Sequence, residues 1–329
     1  MSAVLLVRAL RDPAAVAGLD ATGWNGLIAA ARAERLIGTL AHRLEPVAVP
    51  RAVAPILADA RRDTDREARQ ALWEADRCVD ALRGTGVPTI LLKGTAYAAA
   101  GLRAGQGRFI GDLDILVPRD AMPVAERAMM AAGWEWVKPD PYDDAYYRQW
   151  MHELPPMIHR ERDRMIDVHH TVLPLTARQT PDAAAMIADA VAITDGLYIL
   201  SPEDRIIHAA AHMLADGDLQ GGLRNLWDIY CLLSDADPAA LEARAVRHGL
   251  LSHVRQARRL AAALYGHGAR LTLRDRLVRA RLLARNGWGQ ETAKPLVFAF
   301  YLRSHWLRMP PLMLARHLWT KWRKGHRPQ

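Results

Sequence analysis

Cysteine is nearly missing: the 329 residues hold two, Cys78 and Cys231, with no CxxC or Cys/His spacing around either. That argues against a disulfide-stapled scaffold and a cysteine zinc site, and it favours a reducing, cytoplasmic location. Long apolar runs are missing too. No uncharged stretch approaches the ~20 residues that a spanning helix needs. The apolar run at residues 3–7 is too short for a secretory leader, and Arg8 and Arg11 follow it instead of preceding it. Acids disappear at one end only. Residues 294–329 carry eight Lys/Arg and no Asp or Glu, which accounts for the whole net charge of +8. The basic character therefore belongs to the tail and does not mark the whole chain as a nucleic-acid binder.

Half of the residues are apolar, ample for a real core in a chain long enough for two domains. Ala-rich stretches with aliphatics three and four apart make residues 1–85 read as helical. Gly84-Thr85-Gly86 breaks that pattern, and residues 87–92 read as a strand that turns at Lys93-Gly94. A short helix is expected at 96–102, a four-glycine loop at 101–111 and a second strand at 112–117. Asp120 is expected to cap a helix over 121–132, followed by a strand at 134–137 and a loop over 139–156. Strands follow at 157–159 and 165–169. Ser201-Pro202-Glu203-Asp204 is a strong helix start, and helices are expected over 202–214, 223–233, 238–248 and 251–265. The expectation is an α+β fold with a small mixed sheet at 86–198. Helical segments at 1–85 and 199–270 flank it, and a basic, Trp-rich helical tail covers 271–329.

The segment Gly111 to Pro118 (GDLDILVP) carries the chemistry. On a strand, Asp112 and Asp114 share one face while Leu113, Ile115 and Val117 take the other. Side-by-side carboxylates repel, and the usual remedy is a hard cation with oxygen ligands such as Mg²⁺. The rival reading is a strand end, with Asp112 capping a turn and Asp114 solvated. Asp167, in the apolar strand MIDVH, offers a third carboxylate. Three such acids suit two-metal phosphoryl chemistry, the third also accepting the nucleophile's proton.

These features together resemble the DNA polymerase β-like nucleotidyltransferase superfamily. Within it, LLKGTAY, Arg108 in GRFIGDLDILV, and IDVHH look like an uncharacterised bacterial nucleotidyltransferase family. SPEDRIIHAAAHM and LRNLWDIYCLL extend the resemblance into the helical half. It implies a minimal nucleotidyltransferase core and transfer of a nucleoside monophosphate from an NTP, here ATP or another, with release of pyrophosphate. Asp112, Asp114 and Asp167 would then be catalytic and hold two Mg²⁺ ions. Lys93, Gly94, Thr95, Arg108 and His169 would serve the nucleotide, Thr95 standing where the superfamily more often has Ser. The acceptor is open: a peptide, a small molecule or tRNA, with peptide natural-product biosynthesis suggested by the family's gene surroundings. The alternative is a catalytically silent nucleotide-binding module.

Each residue keeps a plainer reading. Lys93 also fits an ion pair with Asp112 or Asp114, Arg108 a solvated loop, and Asp167 a pair with Arg162 or Arg164. His169 and His170 point to opposite faces, so at most one faces the site. His208 and His212, four apart on a helix, favour packing or a substrate-side role over zinc, and Arg224 and Asp228 suit an intrahelical pair. The tail over 298–322 mixes Trp with basic residues, which suits an anionic membrane surface or an acidic partner, or simple packing on the core.

Overall fold

The computed structural model describes residues 2–310 together with Leu314, Ala315, Trp319 and Arg323. Four helices open the chain: α1 (Ser2–Arg11), α2 (Ala21–Ala33), α3 (Ile37–Arg43) and the 29-residue α4 (Ala54–Leu82). In α4, Leu57, Ala60, Thr64, Ala71, Ala75, Cys78 and Leu82 are buried. Their spacing gathers them on one face, and α4 packs against the sheet strands β1 (Thr89–Leu91) and β2 (Asp112–Leu116).

The sheet has five more strands: β3 (Trp134–Trp136), β4 (Met157–His159), β5 (Met165–His169), β6 (Val191–Thr194) and β7 (Leu197–Ile199). Their order is β3-β4-β5-β2-β1-β7-β6, with β2 in the middle, antiparallel to β1 and parallel to β5. Leu113, Ile115 and Val117 are all buried, as the alternation requires. With helices on its flanks, this mixed sheet gives the expected α+β fold.

Three local expectations change. Residues 139–156 hold a helix, α7 (Pro141–Trp150), after α5 (Lys93–Ala99) and α6 (Met122–Ala131). Asp140 caps α7 by accepting from the Tyr142 and Asp143 amides at 2.8 and 3.1 Å. No residue of α7 is fully buried, so it carries no apolar stripe to betray it. Asp120 does not cap α6: it lies in a 3₁₀ turn (Arg119–Ala121), and α6 starts at Met122 without a side-chain cap. The β6–β7 hairpin, turning at Asp195-Gly196, had no counterpart in the sequence reading.

Beyond α8 (Ala183–Ala188), the C-terminal half is helical: α9 (Pro202–Ala211), α10 (Gly222–Leu232), α11 (Pro238–Arg247), α12 (Leu251–Leu264), α13 (Leu273–Leu282) and α14 (Lys294–Arg308). A π-helical turn, His212–Asp216, extends α9. On α14, Phe300 and Ser304 face inward while Phe298, Leu302 and Trp306 are exposed. Most of the expected amphipathic segment beyond residue 310 lies outside the described residues. Among those residues, no helix is long and apolar enough to cross a membrane.

Candidate active site

The register of β2 against β5 builds the acidic cluster. Asp114 stands directly opposite Asp167, and Asp112 opposite Met165. Because i and i+2 share a face, all three carboxylates meet on one side of the sheet, their nearest oxygens within 4.8 Å of one another. Asp112 is exposed at the strand's edge, Asp114 is buried and Asp167 is half-buried. Arg162 and Arg164 do not neutralise Asp167; they pair with Glu74 and Glu67 of α4.

Lys93 forms an ion pair with Asp114, its Nζ lying 2.6 Å from Asp114 Oδ1. It opens α5 with a left-handed backbone, φ +47°, a conformation that a side chain normally resists. Leu92, before it, supplies no side-chain cap, so first-turn amides of α5 lack intrahelical partners. Gly94 is required by close approach: a Cβ there would lie 2.6 Å from Arg108 Nε. Arg108 is not solvated. It reaches over the Tyr97 ring and pairs with Asp228, which also binds Arg224 at 2.6 Å. Arg224 in turn donates to Thr39 Oγ1 at 2.6 Å.

A cleft of about 540 Å³ opens beside these groups, and Lys93, Gly94, Arg108, Asp112, Asp114 and Arg224 line it. Asp167, Thr95 and His169 are not part of this lining. Thr95 is 1 % exposed, and its hydroxyl has no hydrogen-bond partner among the described residues. His169 is clamped between two carboxylates, Nε2 at 3.0 Å from Asp114 and Nδ1 at 3.3 Å from Glu153. The His152 ring stacks on it at 5.2 Å. His170 faces another groove, beside Pro118 and Leu173. His212 reaches the cleft from the π-helical turn, whereas His208 is buried.

The electrostatics divide the acids. Burial pushes the Asp114 carboxyl up, but Lys93 and His169 outweigh it and hold the group well below the usual carboxylate range. Asp167 has no ion pair among the described residues, and the pull of His169 on it is outweighed. Burial, then repulsion from Glu153 and Asp114, pushes it up to about 7. Burial likewise drives His212 down to about 3, with Lys93 adding to the effect, so its ring is neutral. Lys93 itself is raised, because Asp114 overcomes the cost of burial.

Several contributors escaped the sequence reading. Glu153, Thr39, Glu34, Arg35 and Arg285 lie far from the motifs, and only the fold brings them near. Glu34 accepts from the Leu223 amide at 3.1 Å and pairs with Arg285 at the start of α10. The one local hint was the i, i+4 spacing of Arg224 and Asp228.

The donor set fits a hard divalent cation. It consists of three carboxylates with all-oxygen chemistry, and the buried Oδ1 of Asp167 has no hydrogen-bond partner among the described residues. The pattern of acids, glycine turn and strand order agrees with comparison to known proteins. A family model described as an uncharacterised nucleotidyltransferase matches residues 20–266. A search of curated proteins finds no match. The match spans α2 to α12 and all of the sheet between them, so the chain belongs to the uncharacterised nucleotidyltransferase family.

Proposed function

We propose that this protein is a metal-dependent nucleotidyltransferase that moves a nucleoside monophosphate from an NTP to an acceptor hydroxyl, releasing pyrophosphate. The observation that carries this reading is the in-register pairing of Asp114 with Asp167 beside Asp112. When bound there, Mg²⁺ ions would neutralise phosphate charge and align the attacking and leaving oxygens. Asp112 and Asp114 would hold them from β2, and Asp167 from β5. Asp167, with its raised pKa, is also suited to accept the acceptor's proton. His169 would position Asp114 rather than touch nucleotide, since its two nitrogens face carboxylates. Lys93 would exchange its bond to Asp114 for phosphate oxygens. Arg108, fixed by Asp228, would supply a second positive group at the cleft wall. In this reading residues 86–198 provide the chemistry, and the helical segments 1–85 and 199–270 close the cleft.

A silent nucleotide-binding module would have no use for three converging acids, one of which, Asp167, is pushed towards its neutral form by burial and repulsion. The two readings separate in one assay. Protein incubated with Mg²⁺ and each NTP should release pyrophosphate in the presence of a competent acceptor. Asp112→Asn and Asp114→Asn should each abolish release while circular dichroism stays unchanged. Mg-NTP binding with no turnover on any acceptor pool would favour the silent module.

A further inference from the structure

A second pocket of about 660 Å³ adjoins the nucleotide cleft. Arg35, Phe109, Ile110 and Gly111 line both, and Gly111 immediately precedes Asp112. The pocket is thus continuous with the edge of the acidic cluster, on the side of Asp112, its most exposed member. Ile37, Ile56 and Phe109 give it apolar lining.

The charge on its walls is unequal. Asp59, Asp63 and Glu67 project from α4, and each already has an arginine partner: Arg62, Arg66 and Arg164. Arg32 and Arg35, which also line the pocket, have none among the described residues, and both are exposed. Arg35 also occupies a costly backbone position. It follows α2 with φ +54°, in a C-terminal motif closed by Leu36 N–H to Ala31 O at 2.7 Å. Glycine is the usual residue there, and a side chain costs about 1 kcal/mol. The cost places a guanidinium at the junction of the two pockets, where strain commonly accompanies function.

We infer that this pocket is the acceptor site, and that it takes a small acceptor with an apolar body, a single carboxylate and, as the reacting group, a hydroxyl. The carboxylate is the handle for Arg32 and Arg35, whose planar forks match it. The aliphatic side chains take the apolar body. The assignment as acceptor site rests on the nucleotidyltransferase reading. In the transfer, a hydroxyl oxygen of the acceptor bonds to the α-phosphorus, the bond to the β-phosphate bridging oxygen breaks, and pyrophosphate leaves. The hydroxyl proton passes to Asp167.

The test uses the full chain with isotope-labelled isoleucine methyl groups, followed by NMR. The probes are N-acetyl-L-leucine and its uncharged amide, each added with and without saturating Mg-ATP. The expected result is a saturable shift of the Ile37 and Ile56 methyls by the acid, with the amide weaker by about tenfold. Arg32→Gln should bring the acid down towards the amide, Ile56→Trp should abolish the shift, and Mg-ATP should leave it in place. Equal binding of acid and amide, displacement of the acid by Mg-ATP, or no saturable shift at millimolar probe would each overturn the proposal. Acid binding in the pocket by a protein that fails to bind Mg-ATP would count against the nucleotidyltransferase reading, and with it the acceptor role, while leaving the carboxylate pocket itself standing.

Discussion

Lys93 Nζ lies 2.6 Å from Asp114 Oδ1, so an ammonium already occupies the carboxylate best placed to receive a divalent cation. The pair is largely buried, with side-chain exposures of 24 % and 5 %. Removing the ammonium leaves a buried carboxylate whose one remaining ion-pair partner among the described residues is His169, a change that costs about 3–5 kcal/mol for buried pairs. Lys93→Gln should therefore lower the melting temperature in a chelator, and saturating Mg²⁺ should restore most of the loss. Loss of one charge-stabilising donor should also cut kcat/KM by about 10²–10³. Differential scanning calorimetry with and without Mg²⁺ checks the first effect and pyrophosphate release the second.

Asp167 predicts a pH dependence of definite sign. Its folded-state pKa is raised to about 7, so the folded chain holds a proton there that the unfolded chain has lost. The favourable contribution is complete below the ordinary aspartate pKa and is lost as pH rises through about 7. In chelator, Asp167→Asn should be more stable than the parent chain at about pH 8, and the gap should close as pH falls towards 4. Mg²⁺ binding should release a proton at about pH 6 and almost none at about pH 8. Calorimetric titration in buffers of different ionisation enthalpy measures that release.

The Arg108–Asp228–Arg224 group supports the cleft wall from behind. Asp228 serves both arginines, and Arg224 is nearly inaccessible. Asp228→Asn would leave two buried guanidiniums facing each other, at a cost of about 3–5 kcal/mol. Urea denaturation should show a large fall in the midpoint with little change in slope. A fall of under 1 kcal/mol would mean that the arginines find other partners.

What the sequence revealed depended on how local the signal was. The strand of Asp112 and Asp114 was legible because alternation and acid spacing coincide within eight residues. Asp167 was legible because an acid in an aliphatic strand is unusual. The helix α7 was not, since it buries nothing and its only marks are the cap and proline at Asp140-Pro141. Arg108 and Asp228 are 120 residues apart, and nothing near Arg108 announces the partner. The same holds for Glu153, which reaches His169 from a segment read as loop. Thr95 was placed on the phosphate turn by its neighbours in sequence, yet it faces the interior, because α5 begins at Lys93 and buries its next residues.

The most direct measurement is Mn²⁺ binding followed by electron paramagnetic resonance, with and without a non-hydrolysable NTP. Two ions per chain should bind in the presence of nucleotide, and Asp112→Asn, Asp114→Asn and Asp167→Asn should each weaken binding by about tenfold or more. Unchanged Mn²⁺ affinity in all three variants would contradict the account.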